Sequence, residues 1–209
     1  RGPPHFAGEL MSIVSGVLLF PGAGSGSEHP SLVAIEEKLS PLPVRRSDFE
    51  YRIEGRKAPD RPRKLIARVR ECADAFASDL SVSSQQLVLG GRSMGGRMCS
   101  MVAAGVPDTD GLDALPVAGV ILISYPLHPP AKPESLRVEH FERLNVPCLF
   151  IQGTKDEFGS PDELQEWTAK IPGEVTHHFV QHAHHEMKKK DGEIAEVIQD
   201  WLGRFTGSV

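Results

Sequence analysis

Short runs of apolar residues alternate along the chain with longer segments in which apolar residues recur every three or four positions. A continuous apolar run is typical of a strand buried on both faces of a parallel sheet, and the longer spacing is typical of an amphipathic helix. The predicted strands cover residues 17–20, 44–49, 87–89, 117–124, 146–152 and 174–180. The predicted helices cover residues 30–39, 62–80, the segment after Ser93, 135–144, the segment after Ser160, and 191–205. This alternation predicts an α/β fold with a central, mostly parallel sheet of about six to seven strands and helices on both faces.

We expect residues 11–209 to form a single domain, since 209 residues suffice for one sizeable core and no linker or repeat interrupts the pattern. Residues 1–10 show no periodicity, and we interpret them as an added segment or a ragged N-terminus. The apolar run 13–20 could be mistaken for the core of a signal peptide. It contains Ser15 and Gly16 and follows no basic cluster, so a buried strand is the better interpretation. No other segment is predicted to span a membrane.

The composition is that of a globular protein, with 40% hydrophobic and 24% charged residues. The net charge of −5 argues against a nucleic-acid partner, which would favour a strongly basic surface. The three cysteines, Cys72, Cys99 and Cys148, lie far apart and show no metal-ligand spacing. Buried free thiols in a reducing cytoplasm are the interpretation that fits them, and we expect neither a metal nor a cofactor.

The segment from Gly91 to Gly95 has the pattern G-x-S-x-G between a predicted strand and a predicted helix. This is the pattern of a nucleophile elbow, in which a sharp turn presents the Oγ of a serine, here Ser93, at the carboxyl edge of the sheet. Glycines are needed there because residues without a Cβ allow strand and helix to pass close together. The N–H of Met94, at the start of the helix, is predicted to donate to an oxyanion. Taken alone, the pattern also fits an ordinary turn between a strand and a helix.

A second glycine-rich loop covers residues 21–27 and follows the first predicted strand. In a hydrolase, the N–H of Ala23 or of Gly24 would supply the second oxyanion donor. The loop also matches part of the dinucleotide-binding fingerprint G-x-G-x-x-G, with Gly22 and Gly24 in register and Asp48 at a plausible distance for binding a ribose. The third glycine of that fingerprint is replaced by serine, so the match is incomplete.

Candidate acid and base residues follow two later strands. Asp156 comes after the strand at 146–152, and His182, His184 and His185 follow the last strand. The carboxyl ends of parallel strands open onto one edge of the sheet, so these residues and the elbow serine can converge. A neutral imidazole can take the serine proton, and a carboxylate orients the imidazole and stabilises its cationic form. The order nucleophile, acid, base along the chain therefore predicts a Ser-His-Asp triad, and any one of the three histidines can be the base.

Five stretches together give the chain a resemblance to the α/β-hydrolase superfamily. They read L-L-F-P-G-A-G, G-G-R-S-M-G-G-R, S-Y-P-L-H-P-P, G-T-K-D-E-F and A-H-H-E-M. The chain is most similar to the small dienelactone-hydrolase-like branch, and within it to bacterial relatives of testis-expressed protein 30 and of a subunit of the NSL histone acetyltransferase complex. The resemblance implies a three-layer α/β-hydrolase fold and a carboxylesterase-like serine hydrolase.

The resemblance also selects among the candidate residues. In that branch the catalytic histidine follows a small residue and a polar one, so Ala183 and His184 identify His185 as the base, with His184 and His182 as alternatives. The branch usually has a histidine where this chain has Pro21, and its loss removes a side chain that could brace the oxyanion loop.

The segment 125–145 leaves room for a loop and one helix, so no cap domain is expected. We therefore predict a shallow, open pocket that suits small ester or related acyl substrates rather than long lipids. The residues predicted to border it are Gly22, Gly24, Tyr125, Pro126 and Phe158, with Tyr51 and Arg52 as weaker candidates.

The predicted reaction is acyl transfer to water through an acyl-enzyme on Ser93, with His185 and Asp156 completing the triad and the N–H groups of Ala23 and Met94 holding the oxyanion. A catalytically weak hydrolase fold that serves as a binding or scaffold protein is the main alternative, because a fold does not fix a function. A dinucleotide-binding protein is a further alternative.

Overall fold

The computed structural model describes residues 14–106 and 113–205, and the interpretation of residues 1–10 falls outside them. The strands are β1 (Gly16–Phe20), β2 (Val44–Arg46), β3 (Leu87–Arg92), β4 (Gly119–Ile123), β5 (Cys148–Gly153) and β6 (Val175–Val180). The helices are α1 (Pro30–Leu39), α2 (Glu50–Ile53), α3 (Pro62–Leu80), α4 (Met94–Ala104), α5 (Pro161–Thr168) and α6 (Asp191–Leu202).

The six described strands form one parallel sheet in the order β2-β1-β3-β4-β5-β6. Apolar residues of α1 and α6 pack on one face of the sheet, and those of α3, α4 and α5 pack on the other. This three-layer arrangement confirms the predicted α/β fold. Because every strand runs the same way, the carboxyl ends of all of them open onto one edge, which is where open α/β sheets bind ligands.

Two glycines bring the glycine-rich loop at residues 21–27 close to the start of α4. A Cβ on Gly91 would lie 2.1 Å from the carbonyl oxygen of Phe20, and a Cβ on Gly95 would lie 2.5 Å from the same atom. No side chain tolerates such distances, so only glycine allows β1 to end directly beside the turn that follows β3. The two predicted oxyanion segments are therefore adjacent.

The segment 135–144 was predicted as a helix, and this prediction is wrong. It contains only a 3-10 turn at Phe141–Arg143. The N–H of Arg137 donates to the carbonyl oxygen of Leu127 at 2.9 Å, and the carbonyl oxygen of Arg137 accepts from the Tyr125 hydroxyl at 2.6 Å. These contacts occupy backbone groups that a helix would use, so tertiary structure overrides the local pattern. With no α-helix in this segment, nothing resembling a cap domain covers the edge at this point.

The region after β2 also differs from its prediction. The strand ends at Arg46 rather than at Phe49, and the polar stretch expected to be a loop begins with the short helix α2. Phe49 and Tyr51 are fully buried, and their rings stack 6.3 Å apart. Burial of these two aromatic residues anchors a turn of helix in a sequence that reads as polar.

Candidate active site

Ser93 lies in the turn between β3 and α4 with φ of 47° and ψ of −118°. A positive φ is strained for a residue with a side chain, and such strain concentrates at functional sites. The backbone N–H of Ser93 donates to the carbonyl oxygen of Ile123 at 2.8 Å, which ties the turn to β4. Met94 is the first residue of α4, so its N–H has no acceptor within the helix and faces the same edge as Ser93.

The structure brings Ser93, His185 and Asp156 into one hydrogen-bonded row. The Nε2 atom of His185 lies 2.9 Å from the Oγ of Ser93, and its Nδ1 atom lies 3.0 Å from each carboxylate oxygen of Asp156. The other two candidate histidines lie elsewhere. His184 is exposed, with its Nδ1 atom 3.8 Å from a carboxylate oxygen of Glu157, and His182 is exposed on the turn after β6.

The carboxylate of Asp156 is enclosed by donors. Besides the imidazole, it accepts the N–H of Phe158 at 2.9 Å and the side-chain amide of Gln152 at 3.0 Å. The ring of Phe158 packs on the imidazole of His185, with the two ring centres 4.0 Å apart. Asp156 is thus fixed from three directions, and Phe158 fixes the plane of the histidine ring.

The loop that carries His185 is held by two side chains. The Ser124 hydroxyl donates to the carbonyl oxygen of His185 at 2.6 Å. The buried guanidinium of Arg92 donates to the carbonyl oxygens of Glu186 at 3.0 Å and of His185 at 3.4 Å, and to the Ser31 hydroxyl at 3.3 Å. Burial lowers the pKa of Arg92. Sequence reasoning missed this role, although an arginine directly before the elbow serine in a buried strand was the available signal.

The predicted oxyanion donors lie on both sides of the serine. A Cβ built on Gly22 would lie 3.6 Å from the Cβ of Ser93, so the loop that carries Ala23 is packed against the elbow. The hydroxyl of Tyr51 donates to the carbonyl oxygen of Ala23 at 2.9 Å, which fixes the peptide between Ala23 and Gly24, next to the peptide that carries the N–H of Ala23. Tyr51 is buried and does not line the cleft, so its prediction as a substrate contact is wrong. Its hydroxyl instead holds the glycine-rich loop that carries Ala23, the predicted oxyanion donor that acts together with Met94.

A cleft of about 530 Å³ opens over Ser93. The residues predicted from the sequence that line it are Gly22, Gly24, Pro126 and Phe158. Tyr125 does not line it, contrary to the prediction, because only 1% of its surface is exposed. Its ring packs against Phe141 and Phe150 in the core, and its hydroxyl is bound by the backbone of Arg137. Arg52, the weaker candidate, does not line the cleft either.

The glycine-rich loop is closed by Asp48, the residue that a dinucleotide site would use to bind a ribose. The carboxylate of Asp48 accepts the N–H of Ser27 at 2.8 Å and its hydroxyl at 2.7 Å. A Cβ on Gly26 would lie 3.3 Å from a carboxylate oxygen of Asp48. The carboxylate is therefore occupied by the protein itself, which argues against the dinucleotide interpretation.

Within residues 14–106 and 113–205, no group of three or more histidine, cysteine or acidic side chains could hold a metal ion. The cysteines Cys72, Cys99 and Cys148 are buried and free, as expected, and burial raises the pKa of each thiol. No helix in the described part of the chain is long and apolar enough to cross a bilayer.

Residues 14–202 match the model of a protein family described as an alpha/beta hydrolase domain. Among solved structures, the chain is similar to Est1E from Butyrivibrio proteoclasticus, with 14% identity, a TM-score of 0.72, and coverage of 94% of this chain and 90% of that one. It is similar to a thermophilic esterase from Thermogutta terrifontis, with 17% identity, a TM-score of 0.65, and coverage of 95% and 86%. It is also similar to the dienelactone hydrolase from Anabaena variabilis, with 17% identity, a TM-score of 0.65, and coverage of 92% and 87%.

Proposed function

Because this chain belongs to the alpha/beta hydrolase family, we propose that it is a serine hydrolase that cleaves small ester or related acyl substrates. The observation that carries the proposal is the row of hydrogen bonds from the Oγ of Ser93 through His185 to Asp156. Esterases and a dienelactone hydrolase among the similar structures support a small-molecule ester. The finer resemblance to relatives of testis-expressed protein 30 stays a prediction.

The proposed cycle begins when Ser93 attacks the ester carbonyl carbon while the Nε2 atom of His185 takes its proton. Asp156 accepts the Nδ1–H of His185, which sets the tautomer and stabilises the imidazolium. The tetrahedral oxyanion accepts the N–H groups of Met94 and Ala23. His185 then gives its proton to the leaving alcohol, and a water molecule activated by the same imidazole hydrolyses the acyl-enzyme.

The open cleft supports substrates with a short acyl group. No cap covers it in the segment 125–147, and its volume of about 530 Å³ suits a small molecule. The apolar side chains that line it include Leu65, Met94, Met98 and Phe158. We therefore expect activity to be highest with short-chain p-nitrophenyl esters and to fall as the acyl chain outgrows the cleft.

The proposal is tested by labelling with a fluorophosphonate probe and by ester hydrolysis. We expect an adduct on Ser93, and a decrease in kcat for Ser93→Ala of roughly 10⁴-fold or more, as for other triad serines. His185→Ala should lose nearly as much. His184→Ala is the matched control, since the side chain of His184 is exposed and contacts neither Ser93 nor Asp156.

Three results would count against this assignment. Loss of activity in His184→Ala but not in His185→Ala would contradict the choice of base. A decrease of less than about tenfold in Ser93→Ala would indicate another nucleophile. A folded protein with no adduct on Ser93 and no esterase activity would support the scaffold alternative instead.

A further inference from the structure

Two of the arginines that line the cleft, Arg97 and Arg137, have no role in the proposed ester hydrolysis. Arg97 follows Ser93 by one helical turn, and its backbone N–H donates to the carbonyl oxygen of Ser93 at 3.0 Å. Residues four apart lie on the same face of a helix, with Cβ atoms about 5–6 Å apart. Arg137 also lines the cleft, and its guanidinium donates to the carbonyl oxygen of Pro126 at 3.4 Å.

The two guanidinium groups are close enough to influence each other. Burial lowers the pKa of Arg137, and the positive charge of Arg97 lowers it further. The carboxylate of Glu139 accepts from the Nη2 atom of Arg97 at 3.1 Å, so one negative charge faces two positive charges. Within the described part of the chain, the Nε–H of Arg97 is buried and has no acceptor. Native proteins satisfy nearly all such groups, so Glu139 leaves part of the hydrogen-bonding capacity of the Arg97 guanidinium unused.

The remaining charges of the cleft do not alter this balance. Arg92 donates to backbone carbonyl oxygens of the histidine loop, and its nearest carboxylate oxygen belongs to Glu186, at 4.0 Å. The carboxylate of Asp60 is paired with Arg56 at 3.0 Å and with Lys64 at 3.3 Å. A surplus of one positive charge therefore stays with Arg97 and Arg137.

We infer that Arg97 and Arg137 form a binding subsite for a carboxylate, so that the preferred substrates are esters that carry a carboxylate. The inference rests on the proposed hydrolase function and specifies its substrate class. A carboxylate suits the subsite better than a phosphate does, because the surplus is a single charge and Arg97 already binds the carboxylate of Glu139.

The test compares matched pairs of anionic and neutral esters by the ratio of their kcat/KM values. For a carboxylate in the acyl half, the pair is mono(p-nitrophenyl) glutarate and p-nitrophenyl 5-methylhexanoate. For a carboxylate in the alcohol half, the pair is 4-(butanoyloxy)benzoate and 4-acetylphenyl butanoate. We expect the wild type to favour the anionic ester of at least one pair. In Arg97→Gln and in Arg137→Gln that ratio should fall by roughly tenfold or more, the usual effect of losing a charge-assisted hydrogen bond.

Two further variants show whether charge at the subsite is the cause. Glu139→Gln removes the negative charge that competes for Arg97, so the ratio should rise by roughly threefold or more. Arg204→Gln removes an exposed arginine that is paired with Glu174, away from the cleft, and should leave the ratio unchanged. High salt should lower the ratio in the wild type and have much less effect in Arg97→Gln.

The inference would be overturned if, for both pairs, the kcat/KM ratio were the same in the wild type, Arg97→Gln and Arg137→Gln. Labelling of Ser93 would in that case leave the proposed hydrolase function intact. If the protein hydrolyses no ester and is not labelled, the hydrolase proposal fails, and the subsite is tested by binding alone. In that case monomethyl glutarate, measured by calorimetry, should bind the wild type at least roughly tenfold more tightly than Arg97→Gln. Equal affinities would reject the subsite.

Discussion

Replacing Arg92 by methionine tests whether the position of His185 depends on a buried cation. Methionine fills much of the volume of the arginine stem but cannot donate a hydrogen bond. The substitution leaves the carbonyl oxygen of Glu186 without the guanidinium, and the carbonyl oxygen of His185 keeps only the Ser124 hydroxyl. The side chain of Arg92 makes no hydrogen bond to the side chains of Ser93, His185 or Asp156, so we expect its loss to act mainly through the loop.

The magnitude follows from two opposing effects. A buried carbonyl oxygen that loses its partner costs about 1–3 kcal/mol, and hydrogen bonds from a charged donor are at the upper end of the range. Burying a guanidinium without a close carboxylate also carries a desolvation cost, which the substitution removes. The free energy of global unfolding should therefore change by less than about 1.5 kcal/mol. The loop alone loses about 1–3 kcal/mol, which lowers kcat by about 5- to 150-fold.

The assay measures kcat and KM with a neutral p-nitrophenyl ester, together with urea unfolding of the same variants. We expect kcat to fall while KM changes little, because His185 acts on the bound ester. Arg92→Lys should recover only part of the activity, since an ammonium group cannot match the planar fork of a guanidinium. Ser124→Ala acts on the same carbonyl oxygen, so the double variant should lose more than the product of the single losses.

Two results would refute this reasoning. Retention of kcat within about threefold in Arg92→Met would show that the loop is held without the guanidinium, because even the low end of the expected cost exceeds that change. A decrease in kcat that matches a comparable decrease in the free energy of unfolding would indicate general destabilisation rather than positioning.

The remaining predictions concern Tyr51 and His140. Tyr51→Phe removes the hydrogen bond to the carbonyl oxygen of Ala23 and should lower kcat by about fivefold with little change in KM; a change below about twofold would mean that the bond does not support the oxyanion donor. Burial lowers the pKa of His140 from 6.5 to about 4, so the folded protein keeps it neutral while the unfolded chain protonates it. The contribution of neutral His140 to the free energy of unfolding is therefore fully present above pH 6.5. It is lost as the pH falls toward 4, and the loss is about 2 kcal/mol at pH 5. Urea unfolding at pH 7 and pH 5 should show this decrease in the wild type and a smaller one in His140→Gln.

The sequence predicted the elements whose signals are local. Strands β1, β3, β4 and β5 contain continuous apolar runs, and α5 begins where Ser160 and Glu163 form the expected capping box. Ser93 and Asp156 could be named for the same reason, since each lies within three residues of the end of a buried strand. The segment 135–144 has a helical pattern too, but its backbone is bound by the loop after β4, and no local pattern records that contact.

The contacts that hold the site together could not be read in this way because they join distant parts of the chain. Arg92 binds Ser31, 61 positions away, and the carbonyl oxygen of Glu186, 94 positions away. Tyr51 binds Ala23, 28 positions away. Each of these residues also has an ordinary local interpretation. Arg92 can be taken as a polar residue beside a turn, and Tyr51 as an aromatic residue at the edge of a cleft. Only the fold brings it to its partner.

The choice between His184 and His185 shows how a local signal and a distant contact combine. Neighbouring residues in an extended loop point in opposite directions, so one of the two faces the carboxylate of Asp156 and the other faces solvent. A Cβ on Gly153 would lie 2.3 Å from the carbonyl oxygen of Ala183, so the end of β5 and the histidine loop meet at a point where only glycine fits. The N–H of Lys155 donates to that same carbonyl oxygen at 2.9 Å. This contact fixes the register of the two loops, and in that register the second residue after Ala183, not the first, reaches the acid.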